Sequence, residues 1–275
     1  MSPEIKRILS ESFKDTSRHS EIAPGVIEER RIFLQVPMVA LIAGLFRPGT
    51  ISAQSMEIVS KVSEIESYAK TLSTMNHRDL DFEGFVKECA TLAKQAAEDS
   101  SLNEDAHIFR MSSMAARLQL SSVPKGKLSA FGGLNPPVEL GPIHRIAPLI
   151  IIQWRMAPGA TLPAHNHNPA DVLTVCLEGE CRVRHFDIVG DAPEYSSKKT
   201  FLIRETQNLL LTPGRMSSLS TTRDNIHTFQ AGKEGAWGID INTRLPGDKK
   251  FSFLEFSSKP RDADKRIFEA AWMKL

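Results

Sequence analysis

A series of short β-rich runs fills the second half of the chain and limits the possible folds more than any other feature. Residues with a high strand preference cluster in these runs, and glycine, proline and polar turn residues separate them. The runs cover residues 149–155, 171–177, 180–187, 201–204, 207–212, 226–230, 236–242 and 251–255. Strands at this spacing are typical of an all-β sandwich or barrel. The sequence therefore predicts a mainly β domain.

Amphipathic helices are predicted on both sides of the β-rich region. In residues 54–121 apolar side chains recur every three or four positions, as on one face of a helix. Asp81 and Asn103 are suitable caps for two of these helices, and the apolar stripes indicate a casing that packs on a core. A last amphipathic helix is predicted over residues 262–275. The expected segments are an N-terminal extension, 1–53, the helical casing, 54–121, the barrel, 122–260, and the C-terminal helix, 261–275.

Charge and cysteine content narrow the classes of function. The 34 Lys and Arg residues and the 33 Asp and Glu residues leave a formal net charge of +1. No basic stripe carries interleaved aromatic residues, so we expect no nucleic-acid partner. Cys176 and Cys181 would face each other across a two-residue turn at Glu178 and Gly179. They would either form a disulfide in an oxidising compartment or remain two reduced core cysteines.

The N-terminal extension carries an Arg-Arg-Ile-Phe-Leu segment at residues 30–34, an apolar run over residues 36–46 and then Ala53. The run is too short for a bilayer, which needs ~20 residues, and it suits the apolar region of a signal peptide. This arrangement resembles a twin-arginine export signal. The resemblance implies the twin-arginine export machinery as a partner, a mature chain from about Gln54 and a periplasmic or exported location. The alternative is a buried helix over residues 32–46 in a cytoplasmic protein.

Two histidines one residue apart, His165 and His167, are the clearest chemical feature of the sequence. They follow a Pro-Gly turn at residues 158–159 and precede an apolar, β-branched run. Residues i and i+2 of a strand point to the same side, so the two imidazoles would project together. Two imidazoles side by side are half of a metal site.

The spacing around this pair carries a family resemblance. Gly159, five further residues, His165-x-His167 and later Gly179 resemble the first motif of the cupins. The resemblance covers about residues 149–256. It implies a jelly-roll, or double-stranded β-helix, barrel with a metal centre inside it.

The carboxylate ligand of that motif is missing from this chain. The cupin glutamate lies seven positions before the last glycine of the motif, and Val172 occupies the position here. Asp171 is one residue off, so strand alternation should turn it away from the histidines. We expect Asp171 to be a hydrogen-bond acceptor outside the ligand set or to stand at a solvated strand end. The site would then hold its metal with histidines alone.

His227 is assigned as the third ligand. The second cupin motif is distorted, because Pro213 and Gly214 form its turn but a polar loop over residues 217–225 follows. His227 comes next, in an Asn-Ile-His-Thr-Phe segment that opens a strand-like run. Together with the His-x-His segment, this late histidine resembles the cysteamine dioxygenase and plant cysteine oxidase branch of the three-histidine thiol dioxygenases, to which cysteine dioxygenase also belongs.

Three neutral imidazoles suit a divalent metal and leave open positions for other ligands. Without a carboxylate ligand the site keeps the full charge of the metal, which favours anionic ligands such as a thiolate. The resemblance implies Fe(II), with Zn, Ni, Mn or Cu as other metals that such a site accepts, and oxidation of a small thiol or other small anionic substrate by dioxygen. Asp240 would accept a hydrogen bond from a substrate amine, and Arg145 would bind a substrate carboxylate.

Two other functions fit the same pattern. One is a different metal-dependent cupin enzyme, such as an oxygenase of another substrate class, an isomerase or a decarboxylase. The other is a non-catalytic cupin that binds a small ligand. The substrate, the metal and the oligomeric state stay open, including a homodimer that pairs through strand edges.

Overall fold

A computed structural model describes residues 80–99, 101–197, 199–247 and 251–273. The predicted export signal and the helical positions before residue 80 lie outside these residues. Neither α-helix in the described part of the chain has the length and apolar character that a membrane crossing requires.

Two α-helices precede the strands in the described residues, α1 over Phe82–Glu98 and α2 over Glu104–Ala115. The side chains of Asp81 and Asn103 each accept a hydrogen bond from an amide in the first turn, at 2.8 and 3.0 Å. These bonds satisfy amides that no helical carbonyl reaches, and they confirm the predicted caps. Each helix buries one stripe, made up of Phe85, Cys89, Ala93 and Ala96 in α1 and of His107, Ile108, Met111, Met114 and Ala115 in α2.

Ten β-strands follow in the described residues. They are β1 (Ser129–Ala130), β2 (Val138–Ile146), β3 (Leu149–Met156), β4 (Thr161–Asn166), β5 (Ala170–Val189), β6 (Phe201–Leu211), β7 (Met216–Leu219), β8 (Ile226–Arg244), β9 (Leu254–Phe256) and β10 (Ile267–Trp272). Every pairing between these strands is antiparallel.

The two longest strands, β5 and β8, each pass from one sheet of the barrel to the other. β5 changes sheet at the irregularity around Gly179, and β8 does so around Gly235. Both glycines have a positive φ, 71° and 78°. A Cβ at residue 179 would lie 2.2 Å from the Gly235 carbonyl oxygen. Only glycine fits this close approach, which explains the last glycine of the motif.

The pairings divide the strands into two sheets. The first sheet has the order β1, β2, β3, second half of β8, first half of β5, β7. The second has the order β4, first half of β8, second half of β5, β6, β10, β9. Two antiparallel sheets joined by strands that cross between them form a jelly roll. The predicted mainly β jelly-roll fold is confirmed.

Apolar side chains from both sheets fill the space between them. Trp154 of β3 packs against Phe229 of β8, with ring centroids 5.5 Å apart. Helix α2 lies on the outer side of the first sheet, where His107 Nε2 is 2.9 Å from the Thr243 hydroxyl. The cluster between the sheets also contains Phe131, Val138, Met156, Leu162, Cys176, Cys181, Val183, Leu211 and Phe253.

The predicted C-terminal helix over residues 261–275 is wrong. Residues Ile267–Trp272 form strand β10, which pairs with β6 and β9. Phe268, Ala270 and Trp272 are buried and alternate with more exposed neighbours. This period of two belongs to a strand, and the pairing with β6 overrides the helical pattern. The barrel therefore extends to residue 272 instead of residue 260.

Three further strands are absent from the sequence prediction, the two-residue β1, β2 and β7. β2 contains Gly141 and Pro142, residues that ordinarily mark loops. β7 occupies the start of the predicted polar loop over residues 217–225 and pairs with β5. Polar or turn-forming residues can occupy strands when a neighbouring strand supplies the pairing.

Candidate metal centre

The three histidines predicted as ligands come together between the two sheets. His165 and His167 lie on β4, and His227 lies near the start of β8, directly opposite His165. The ring centroids are 4.8 Å apart for His165 and His167, 4.6 Å for His165 and His227, and 4.8 Å for His167 and His227. The spacing on β4 and the pairing of β4 with β8 thus bring the imidazoles together.

The Nε2 atoms of the three rings point at a common centre. His227 Nε2 lies 2.9 Å from His167 Nε2 and 3.0 Å from His165 Nε2. The three available ligand atoms lie within 4.8 Å of one another, and no other Asp, Glu, Cys or His of the described residues belongs to the group.

A hydrogen bond on the far side of the His165 ring determines where its proton lies. His165 Nδ1 is 2.8 Å from the Pro163 carbonyl oxygen, which can only accept, so Nδ1 carries the proton. His165 Nε2 therefore presents a lone pair to the centre. Asn242 lies near His167 and raises its pKa, against the larger effect of burial.

Converging lone pairs fit a metal ion. His227 Nε2 can carry one proton and donate it well to only one of its two neighbours. A divalent cation would satisfy all three nitrogen atoms at once. Metal-binding histidines commonly donate the other ring N–H to a carbonyl or side-chain acceptor, as His165 does. The residues present therefore fit a divalent metal.

Burial keeps the three imidazoles neutral. It lowers the pKa of His165 to about 4, although the Pro163 carbonyl acts in the opposite direction. Burial is also the largest cause for His167 and His227, and the neighbouring histidines lower the pKa of both further, to well below the usual range. Neutral imidazole is the form that binds a metal.

Aromatic side chains form an apolar wall beside His165. The ring centroids of Phe229, Phe251 and Phe253 lie 6.4, 5.5 and 5.4 Å from its own. His165 is buried, whereas His167 is only half-buried and marks the side of the centre nearest to solvent. Apolar surroundings lower the local dielectric and strengthen the electrostatic interactions of a bound ion.

The cupin glutamate position is apolar in the structure as well. Val172 pairs with Asn242 across the first sheet, so both side chains are on its inner face. Asp171 points to the outer face, where it lines a small cavity with His107 and Thr243. It is buried, and neither carboxylate oxygen makes a close hydrogen bond within the described residues. The expectation that Asp171 supports the ligands or ends a strand in solvent is wrong, because β5 turns it away from the histidines and α2 covers it.

Asp240 lies on the inner face of β8, in the interior that also contains the histidines. Its Oδ1 accepts hydrogen bonds from the Thr174 hydroxyl, at 2.7 Å, and from Trp154 Nε1, at 3.2 Å. Burial raises the pKa of Asp240 to about 6, although the two hydrogen bonds act in the opposite direction. The group is therefore mostly a carboxylate at neutral pH. Its role in binding a substrate amine stays a prediction.

Arg145 lies two strands away from the strand that carries Asn242. It is opposite Ile150 of β3, and Ile150 is in turn opposite Asn242. The Arg145 side chain is half-buried. Residues directly opposite each other share a face of the sheet, so Arg145 belongs to the inner side. Its role in binding a substrate carboxylate stays a prediction.

Asn242 and His185 belong to the surroundings of the centre, and sequence reasoning missed both. Asn242 contacts His167, and its place two residues after Asp240 on a strand was the available signal. His185 is fully buried, and its ring centroid lies 5.8 Å from that of His227. Strand alternation with Val183 places it on the inner face.

Cys176 and Cys181 are free, buried thiols in the structure. Burial raises the pKa of Cys176 to about 11 and also raises that of Cys181. A thiol that stays protonated is a poor nucleophile. Of the two expected alternatives, a disulfide or two reduced cysteines, the structure has the reduced cysteines. A disulfide in an oxidising compartment stays a prediction.

Solved structures that resemble the chain include cupin-domain proteins. KdgF from Halomonas sp. aligns with 44% of this chain and 91% of its own, at 13% identity and a TM-score of 0.32. The cupin domain of Schizosaccharomyces pombe Cnp3 aligns with 44% of this chain and 70% of its own, at 11% identity and a TM-score of 0.31. A cupin superfamily protein from Desulfitobacterium hafniense aligns with 46% of this chain and 88% of its own, at 16% identity and a TM-score of 0.30. No family model and no curated protein matches the sequence. The strand pairing itself establishes the fold.

Proposed function

We propose that His165, His167 and His227 bind a divalent metal ion and that the protein is a non-haem iron dioxygenase of a small thiol. The convergence of three Nε2 atoms, with no carboxylate in the group, carries this proposal. Three neutral ligands leave the charge of a divalent ion uncompensated, so the centre would attract an anion such as a thiolate. Bound iron would supply the redox chemistry by which dioxygen oxidises the thiol sulfur.

Iron is the metal we propose, because oxidation of a thiol by dioxygen needs a redox-active ion. Three neutral imidazoles also suit Zn, Ni, Mn or Cu, so the ligand set by itself does not select iron. Metal analysis therefore has to accompany any assay of activity.

Side chains of the interior would bind and orient the substrate. Thr174 and Trp154 hold Oδ1 of Asp240, which leaves Oδ2 to accept a hydrogen bond from a substrate amine. Arg145 would bind a carboxylate in a substrate that has one. The aromatic wall beside His165 would exclude water from the sulfur.

A second candidate is another metal-dependent enzyme of the same fold, such as an isomerase, a decarboxylase or a different oxygenase. The group of three histidines supports it equally, because Mn(II) and Ni(II) fit the same three ligands. A non-catalytic protein that binds a small ligand through a structural metal is the third. Only the first candidate requires iron and a thiol together.

Metal analysis and oxygen uptake test the proposal. The full chain would be purified without oxygen, loaded with Fe(II) and assayed against a panel of thiols that includes cysteamine and cysteine. We expect stoichiometric iron and thiol-dependent uptake of oxygen, both lost in His165→Ala and both kept in His144→Ala, a change on β2 outside the centre. Iron-loaded protein that consumes no oxygen with any thiol would refute the dioxygenase, and protein that binds no divalent metal would refute the centre itself.

We also propose that the twin-arginine machinery exports the protein with its metal already bound. The Arg-Arg-Ile-Phe-Leu segment at residues 30–34 and the apolar run over residues 36–46 support this proposal. Replacing Arg30 and Arg31 with lysine should leave the protein in the cytoplasm on cell fractionation. A periplasmic location unchanged by that replacement would contradict it.

A further inference from the structure

His185 is a fully buried histidine, and neither of its ring nitrogens makes a hydrogen bond within the described residues. Buried polar atoms almost always have a partner, so such a residue needs an explanation. Nδ1 of His227 is also buried without a hydrogen bond among these residues. The two side chains are neighbours, with ring centroids 5.8 Å apart and ring planes at 69°.

Strand register places His227 between two other histidines. It lies opposite His165 of β4 on one side and opposite His185 of β5 on the other. His227 Nε2 is 3.0 Å from His165 Nε2 and therefore faces β4. The two nitrogens of an imidazole form bonds in nearly opposite directions, so Nδ1 is available on the side of β5, where His185 lies.

Polar side chains near His185 already have other partners. Gln207, which lies opposite His185 on β6, donates a hydrogen bond to the Asp224 carboxylate at 2.8 Å. The same carboxylate accepts hydrogen bonds from Arg223, at 2.9 Å, and from the Thr206 hydroxyl. Among these neighbours, His185 is the side chain with a ring nitrogen still available to His227.

We propose that His185 is a positioning residue of the metal centre and accepts the Nδ1 proton of His227. This inference rests on the metal centre proposed above. Each metal ligand would then have one outer partner, the Pro163 carbonyl for His165, Asn242 for His167 and His185 for His227.

An outer partner holds a ligating histidine in one tautomer and one ring orientation. Loss of such a partner typically weakens metal binding ~10- to 100-fold. His185→Phe keeps a buried ring and removes both nitrogens, so we expect a loss of that size. His185→Gln retains an acceptor oxygen and should recover most of the affinity. His144→Phe is the matched control, because His144 of β2 also has a buried Nε2 without a hydrogen bond in the described residues.

Cobalt-loaded full-length protein provides the measurement. Competition with a chelator at fixed pH gives the Co(II) affinity. Proton NMR of the cobalt protein detects the ring N–H groups of the ligands, which the paramagnetic ion shifts away from other signals. We expect three such signals in the original protein. His185→Phe should lose the His227 signal through exchange with water, His185→Gln should restore it, and His144→Phe should leave all three.

The outcomes separate this inference from the proposed function. Unchanged cobalt affinity and three intact N–H signals in His185→Phe would overturn the role of His185 and leave the metal centre standing. If the original protein binds no cobalt, both proposals fail. If His185→Phe does not fold, the cobalt protein with the original sequence still decides, through a nuclear Overhauser contact between the His227 N–H and the His185 ring. Absence of that contact overturns the proposal.

Discussion

The space between the two sheets and the layer beneath helix α2 both bury titratable side chains, but with opposite chemistry. Between the sheets the group consists of nitrogen bases, His165, His167 and His227. Beneath α2 the most deeply buried member is an acid, Asp171, close to Glu104 and His107. A buried base becomes neutral by losing a proton and a buried acid by keeping one, so both regions avoid charge.

Only in the layer beneath α2 can proton binding alone give an arrangement without buried charge or unfavourable contacts. Burial, followed by the charge of Glu104, raises the pKa of Asp171 to about 8. Glu104 itself accepts hydrogen bonds from the Thr221 hydroxyl, at 2.6 Å, and from the Thr221 amide, at 2.9 Å. A protonated Asp171 is therefore compatible with its surroundings. The converging lone pairs of the three histidines have no such solution, because one proton between three nitrogens leaves an unfavourable contact.

A single step along β5 separates the two environments. Asp171 faces α2, and Val172, the next residue, faces Asn242 and the interior. Alternation therefore keeps a carboxylate out of the metal centre although one is adjacent in the sequence. The two regions differ in which face of β5 carries the acid. Moving the acid by one residue should therefore change the stability of the protein and the effect of a bound metal on it.

Val172→Glu should produce the largest change. A carboxylate without a partner in this apolar position should destabilise the metal-free protein by ~3 kcal/mol or more. A bound divalent ion would pair with it, so the metal should restore stability and raise Tm far more than in the original protein. Tm with and without Co(II) measures the effect. The added negative charge should also weaken thiolate binding.

Leu173→Glu is the control for that substitution. Leu173 is as deeply buried as Val172, but alternation places it on the outer face with Asp171. This variant should also be destabilised, and Co(II) should not restore its stability. Equal rescue of both variants by Co(II) would show that the ion does not distinguish the faces, and it would contradict the assignment of Val172 to the centre.

Asp171→Asn should change how stability depends on pH. Because the pKa of Asp171 is raised to about 8 in the folded state, the folded protein holds a proton that the unfolded chain releases near pH 4. The contribution of Asp171 to the free energy of unfolding is therefore fully present below pH 4. It falls between pH 4 and 8, by at most ~1.4 kcal/mol per pH unit. Asparagine removes that fall, so the variant should gain stability over the original protein as pH rises to 8.

Denaturant unfolding at a series of pH values measures this effect. Asp191→Asn, at an exposed position, should give a curve parallel to that of the original protein. If Asp171→Asn gives a parallel curve as well, Asp171 is charged in the folded state and the region beneath α2 does not keep its proton.

The histidine pair illustrates what local sequence can predict. The position of His165 and His167 on one face follows from the period of a strand, and the exclusion of Asp171 follows from the same rule. His227 could be predicted as a ligand because a turn precedes it and a strand-like run begins beside it. These inferences need only the conformation of a few adjacent residues, and the strand pairing confirmed the conformation in each case.

The contribution of His185 and Asn242 could not be predicted in this way. Each reaches the centre through register between strands far apart in the sequence, His185 opposite His227 and Asn242 opposite Val172. Register depends on where β5 and β8 change sheet, at Gly179 and Gly235. Strand β10 was mistaken for a helix for a related reason: its partner, β6, lies some sixty residues earlier, and local periodicity carries no information about it.

Thr174→Val should produce the smallest change and tests the interior in isolation from the metal. The Thr174 hydroxyl donates to Asp240, whose pKa is about 6. Removing a donor destabilises the carboxylate, so the pKa should rise by ~1 unit, as expected for a hydrogen bond to a charged group worth ~1.5–3 kcal/mol. Carbon NMR of the Asp240 side chain in metal-free protein measures it. Thr243→Val, on the outer face beside His107, should leave that titration unchanged, and an equal shift in both variants would mean that the two faces are electrostatically coupled.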